Sequence, residues 1–271
     1  MSEPEPGCPY ARHECPRCGD DFMTLRPVGE HLLAAPCDCP RPCAVCGDTF
    51  FLQRVDADGY THAAPCQRAM IDQRVRWIRE ARLPSRYVGA TLTSFEPRNK
   101  SAQAARAHAL RFAIGFEPGQ AGILYYGACG TGKTHLVVSI LRYLVIKRGI
   151  RVRFEEFGKL LADLRATFSD DDLDSADVMS PLVDVPVLAI DELGKGRGSE
   201  WEGQVLDELI SRRYNAGRTT LFTSNYFPGA AAEADAPRLV DRVGVRIYSR
   251  LQEMCVAQHL VGTDFRARGV T

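Results

Sequence analysis

The sequence predicts an α/β fold, a parallel sheet covered by helices on both faces, preceded by a small zinc-ribbon-like module. Three observations carry this reading. Residues 127–134 read GACGTGKT, a full G-x-x-x-x-G-K-[ST] match set between an apolar strand-like run and an apolar helix-like run. From residue 119 onward, strand and helix signals alternate. Eight of the ten cysteines fall within the first 66 residues, where two C-x-x-C pairs occur.

The chain has 271 residues, and three regions are expected in it. Residues 1–67 form the cysteine-rich module, 68–118 a basic helical linker and lead-in, and 119–271 the α/β core. No run of eighteen apolar residues occurs, and the N-terminus, MSEPEPGCPY, lacks an apolar signal region. A cytoplasmic protein without membrane contact is therefore expected. Formal net charge is zero, which gives no global attraction to nucleic acid.

In the first region a motif is duplicated. Cys15-Pro-Arg-Cys18-Gly-Asp leads to AAPC ending at Cys37, and Cys43-Ala-Val-Cys46-Gly-Asp leads to HAAPC ending at Cys66. A repeated hairpin module fits this spacing. With no export signal, dense cysteine points to metal rather than disulfides. Cys15, Cys18, Cys37 and Cys39 make one four-thiolate Zn²⁺ site. Cys43, Cys46 and Cys66 supply three ligands to a second, with His62 ahead of His31, His13 and Cys8 as the fourth. The copies are unequal, since Cys39 has no counterpart at Arg68, so one or two zinc ions are expected.

The second region opens with a helical stripe over 68–82, formed by Met70, Ile71, Val75, Ile78 and Ala81, and Pro84 follows its end. A second helix is expected over 102–116. Between Arg68 and Arg111, nine Arg and one Lys stand against three acids, which reads either as a phosphate track or as a solvated arginine-rich helix. In the core, strands are expected at 123–126, 152–155, 185–190, 220–223 and 255–260. Helices are expected at 133–147, 156–168, 201–215 and 243–254. The five acids within 170–177 read as a solvated, mobile surface segment.

Four elements of the core carry chemistry. Gly127, Ala128, Cys129, Gly130, Thr131, Gly132, Lys133, Thr134 and His135 form a loop whose amides and lysine suit the phosphates of a nucleotide such as ATP. Asp191 and Glu192 end a buried strand. The first acid of such a pair holds Mg²⁺ beside the Thr134 hydroxyl, and the second activates water. Asn225 follows a neighbouring strand, where it can hydrogen-bond the attacking water or the terminal phosphate. Arg246 and Arg250 lie four residues apart, on one helical face. A basic residue supplied from a neighbouring subunit would stabilise charge on the transferred phosphoryl group.

These elements, in this order, resemble the AAA+ ATPases over roughly residues 83–266. More closely, the chain resembles the helicase loaders of the DnaC/DnaI type and the related IstB-type transposition ATPases. The residues carrying the likeness are Leu83-Pro-Ser-Arg-Tyr87, Leu92-Thr-Ser-Phe95, the loop at Gly127 to Leu136, Asp191-Glu-Leu-Gly194, Leu209 to Tyr214 and Thr223-Ser-Asn225. The resemblance implies Asn225 as sensor, Arg250 as arginine finger, a sheet of order 5-1-4-3-2, and ATP hydrolysis in a hexamer or open spiral. It also implies a replicative helicase and single-stranded DNA as partners, the cysteine module gripping the helicase. Two departures stand out. Ala128 and Cys129 replace the usual proline of the loop, and little sequence follows the last strand, so no C-terminal helical lid is expected. A transposition helper acting on duplex DNA remains open, as does a zinc-centred adaptor whose nucleotide pocket is a slow switch.

Overall fold

A computed structural model describes residues 15–19, 21–38, 46–47, 49–168, 175–196, 198–229 and 238–265. Strands β1 (Met23–Val28) and β2 (His31–Pro36) form one antiparallel hairpin, and β3 (Phe51–Val55) and β4 (Thr61–Pro65) form another. The duplication seen in the sequence is geometric too. Gly19 and Gly47 both turn at positive φ, as do Phe22 and Phe50. Asp21 N donates to Cys18 O and Thr49 N to Cys46 O, each at 3.0 Å. Cys37 N donates to Phe22 O and Cys66 N to Phe50 O, each at 2.8 Å.

Helices α1 (Ile71–Glu80) and α2 (Lys100–Ile114) follow, separated by a 3-10 turn at Ser85–Tyr87. The core then runs β5 (Gly122–Tyr126), α3 (Lys133–Arg148), β6 (Val152–Glu156), α4 (Phe157–Phe168), α5 (Ser175–Asp184), β7 (Val187–Asp191), α6 (Glu200–Asn215), β8 (Thr219–Ser224), α7 (Leu239–Val243), α8 (Val245–Met254) and β9 (Cys255–His259). The five core strands are all parallel, in the order β6-β7-β8-β5-β9. Numbered within the core this is 5-1-4-3-2, the order that the resemblance implies.

Alternation along the strands sorts side chains to two faces. Ile123, Tyr125, Val187, Ala189 and Leu221 join α1, α2 and α3 in one core. Leu124, Leu188, Ile190 and Phe222 join α4, α5, α6 and α8 in the other. Helix α3 is apolar around most of its circumference, because it is buried from Leu136 to Ile146. Gly149 at φ 63° ends it.

Three differences from expectation have local causes. Strand β7 starts at Val187 because Pro186 cannot donate to the ladder. The single helix expected at 243–254 is split by Gly244, whose φ 83° and ψ 157° no helix accommodates. In the acidic run, 170–174 lie outside the described residues, while 175–177 open α5 rather than a loop, and its Met179, Leu182 and Val183 reach the core.

The expected boundaries at 67 and 118 are not breaks in packing. Val75, Ile78 and Phe112 share the α3 core, and so do Met23, Leu32 and Ala34 of the first hairpin. Leu32 N donates to Leu83 O at 2.7 Å and Ser85 N to Glu30 O at 2.9 Å, so backbone pairing fixes that hairpin to the core. The second hairpin is exposed instead, with Phe51 at 57% and Tyr60 at 74% of full exposure.

Candidate functional site

The chain leaves β5 at Tyr126, turns through 127–132 and enters α3 at Lys133. Two glycines make the turn possible. At Gly130 (φ 73°) a Cβ would fall 1.8 Å from Asp264 Oδ1, and at Gly132 (φ 95°) 2.6 Å from the Phe95 ring. Lys133 is buried, and its Nζ donates to Gly127 O at 2.8 Å and Ala128 O at 2.7 Å. Thr131 braces the same turn by donating to Ala128 O at 3.0 Å.

Cys129, Gly130, Gly132, Lys133, Thr134 and His135 line a cavity of about 340 Å³, together with Glu192, Thr223 and Asn225. Gly127, Ala128 and Thr131 shape the loop from behind. His135 Nε2 sits 3.2 Å from Thr91 O and 3.3 Å from Ser94 Oγ, tying the turn at 91–94 to α3. The far wall is aromatic and basic, made by Arg86, Tyr87, Phe95, Arg98 and Phe265. Phe265 N donates to Gly130 O at 3.0 Å, and the Arg98 guanidinium lies 4.3 Å from the Phe265 ring centre. An amide-rich turn at a helix N-terminus beside a half-apolar cavity suits a nucleoside triphosphate.

The acids meet this loop through hydroxyls. Thr134 Oγ1 donates to Asp191 Oδ1 at 2.9 Å and lies 3.2 Å from Oδ2. Thr223 donates to the same Oδ1 at 2.5 Å, and its own Oγ1 accepts from Glu192 N at 2.9 Å. Burial pushes the Asp191 carboxyl above the ordinary carboxylate range, and the two hydroxyls pull it back in part. Glu192 turns at φ 58°, and Lys195 Nζ lies 2.5 Å from its Oε2. A hydroxyl and a carboxylate in contact at the mouth of a phosphate loop are a fitting pair of Mg²⁺ holders. The sequence names Thr223 only within Thr223-Ser-Asn225, and its role as the hydroxyl joining Asp191 to the Glu192 amide emerges from the structure.

Neither Arg246 nor Arg250 lines the cavity. Both point to Asp207 on α6, Arg250 Nη1 at 2.9 Å and Arg246 Nε at 3.5 Å.

In the first cysteine module, the Cys15, Cys18 and Cys37 sulfurs all lie within 4.8 Å of one another, and Cys15 and Cys37 are 3.9 Å apart. Backbone amides of Cys18 and Arg17 aimed at the Cys15 sulfur bring its thiol down to about 6. Three converging thiols with one already acidic fit Zn²⁺. Cys39 and Cys43 lie outside the described residues. His62 and Cys66 are described candidates for closing the second site. His62 stands four residues from Cys66 along β4, roughly 13 Å at strand rise, and among the described residues it forms no ligand cluster with Cys46 and Cys66.

Six of the nine arginines between 68 and 111 have partners within the fold. Arg74 donates to Ile146 O, Arg79 to Ala34 O and Arg106 to Leu92 O. Arg82 pairs with Glu155 and Asp163, and Arg86 and Arg98 lie over aromatic rings. Arg76 and Arg111 are exposed. No helix among the described residues is long and apolar enough to cross a membrane.

Comparison with known proteins agrees with this geometry. Residues 62–233 match the family model of the IstB-like ATP binding protein. The replicative helicase loader DnaC of Buchnera aphidicola subsp. Acyrthosiphon pisum is 25% identical over 158 residues, which are 57% of this chain and 64% of that one. The match therefore spans just under two thirds of that relative. The crystal structure of the DnaC helicase loader superposes with a TM-score of 0.58 at 30% identity, covering 65% of this chain and 99% of that chain. A primosome component from Streptococcus pyogenes serotype M3 gives a TM-score of 0.55 at 26% identity, covering 67% and 91%. With a phosphate loop, an acid pair and a 5-1-4-3-2 sheet in place, the chain belongs to the IstB-like ATP-binding proteins, among the AAA+ relatives of the DnaC/DnaI-type helicase loaders.

Proposed function

We propose that this protein hydrolyses ATP at a site completed by a second copy of itself, and uses the cycle to load a replicative helicase onto single-stranded DNA. The observation that carries this is the contact of Thr134, Asp191, Thr223 and Glu192 beside the loop cavity, with Arg250 held outside it. The loop amides and Lys133 bind the phosphates, and Phe95 with Phe265 packs the base. Mg²⁺, held by Thr134 and Asp191, neutralises charge on the phosphates when bound. Glu192, anchored through its amide by Thr223, orients the attacking water and takes its proton. Asn225 faces the same water from β8. Arg250 lies outside its own cavity, which supports a head-to-tail assembly in which it enters the site of the neighbouring copy.

The exposed second hairpin, with zinc held in the first, is the surface offered to the helicase. The match to the IstB-like model also suits an ATPase that helps a transposase on duplex DNA. Capture of partners by the intact protein under ATP and under ADP separates the two. Glu192→Gln should retain ATP binding and lose turnover by about a hundredfold or more. Tight ATP binding with no turnover in the wild type, with helicase and DNA present, would instead identify an adaptor.

A further inference from the structure

Helices α6 and α8 present matching polar stripes to each other. On α6, Asp207, Ser211 and Tyr214 recur at helical spacing, beside the apolar stripe of Val205, Leu206, Leu209 and Ile210 that faces the core. On α8, Arg246, Arg250 and Glu253 recur at the same spacing, beside buried Ile247 and Leu251. One oxygen, Asp207 Oδ1, receives Arg250 Nη1 at 2.9 Å, Arg246 Nε at 3.5 Å and Ser211 Oγ at 3.4 Å. The Arg250 guanidinium also lies 6.0 Å from the centre of the Tyr214 ring. Arg250 is thereby mostly covered, with 21% of its side chain exposed, while Arg246 remains 73% exposed.

We infer that Asp207 is a positioning residue for the shared site. It sets the arginine face of α8 that a neighbouring copy's nucleotide meets, and this inference rests on the two-copy reading above. Without Asp207, two guanidiniums four residues apart repel each other and spread over many rotamers. A partly exposed ion pair is weak enough to yield to a phosphate and strong enough to bias a rotamer. Misplacing a group by about 1 Å at a reacting centre costs up to roughly a hundredfold in rate.

The test uses full-length protein. Asp207→Asn should lower kcat about ten- to hundredfold with unchanged KM and unchanged ATP binding in its own pocket, and Asp207→Glu should restore most of the rate. Mixed with Glu192→Gln, Asp207→Asn should regain activity, because its intact pocket then meets an intact arginine face. Arg250→Ala mixed with Glu192→Gln is the control. If that control pair regains activity while Asp207→Asn alone turns over like the wild type or faster, Asp207 has no positioning role and the shared site stands. If Asp207→Asn loses ATP binding as well, its role is in folding and the inference fails. If the control pair stays inactive, the shared site itself is wrong and the inference falls with it.

Discussion

Replacing Arg213 by methionine should be among the most damaging single changes in this chain, although Arg213 touches neither nucleotide nor zinc. Its side chain is fully buried and makes five hydrogen bonds. Nε donates to Thr220 Oγ1, Nη1 to the carbonyls of Leu182, Val183 and Val185, and Nη2 to Thr219 O. The guanidinium thus closes the C-terminal end of α5, where helix carbonyls lack partners, and joins it to the start of β8. Burial pushes its pKa down to about 9, against which its hydrogen bonds hold the charge. Each bond from a charged donor contributes about 1.5–3 kcal/mol net. Methionine forfeits these bonds and leaves buried carbonyls unpaired, so the total loss should be about 3–5 kcal/mol. At about 2–4 °C per kcal/mol for a domain of this size, the melting temperature falls by roughly 10 °C. Scanning calorimetry of wild type, Arg213→Met and Arg213→Lys checks this, with lysine intermediate because its ammonium keeps three donors. A methionine variant melting within about 3 °C of wild type would refute the reasoning.

Asp191→Asn should raise the melting temperature of the nucleotide-free protein at neutral pH while abolishing its stabilisation by Mg²⁺ and ATP. The folded pKa of Asp191 lies above its unfolded value, so its contribution is full below the ordinary 3.8 and is lost as pH rises through the folded value. Melting curves across that window should be less pH-dependent in the variant, and an unchanged profile would contradict the assignment. Cys37→Ser should release one zinc per chain and His62→Ala none, read by a colorimetric metal assay; loss of zinc from the histidine variant would restore His62 as a ligand.

The core was legible because its strands are buried on both faces, so that β7 reads as a continuous apolar run at 187–190. The loop and the Asp191–Glu192 pair were legible because phosphate and metal chemistry demands fixed residue types at fixed spacing. The arginines were not. Counting nine of them between 68 and 111 says nothing of their acceptors, which for Arg74 and Arg79 are carbonyls far away in sequence, Ile146 O and Ala34 O. The break at Gly244 escaped notice because the apolar spacing continues across it. His62 sits on the extended strand β4, and strand rise, which sequence spacing does not show, separates it from Cys66 by roughly 13 Å.

The pairing of the first hairpin with residues 83–85 makes the two repeats unequal in kind. One copy has become a wall of the ATPase, lending Met23, Leu32 and Ala34 to its interior. Injury to the thiols behind that wall, by oxidation or a chelator, is then injury to the nucleotide machine itself. A fragment starting at residue 68 would begin life with an open apolar seam along α1 and α3. The other copy stands exposed and lends no side chain to that interior, so its surface can change while the wall stays in place.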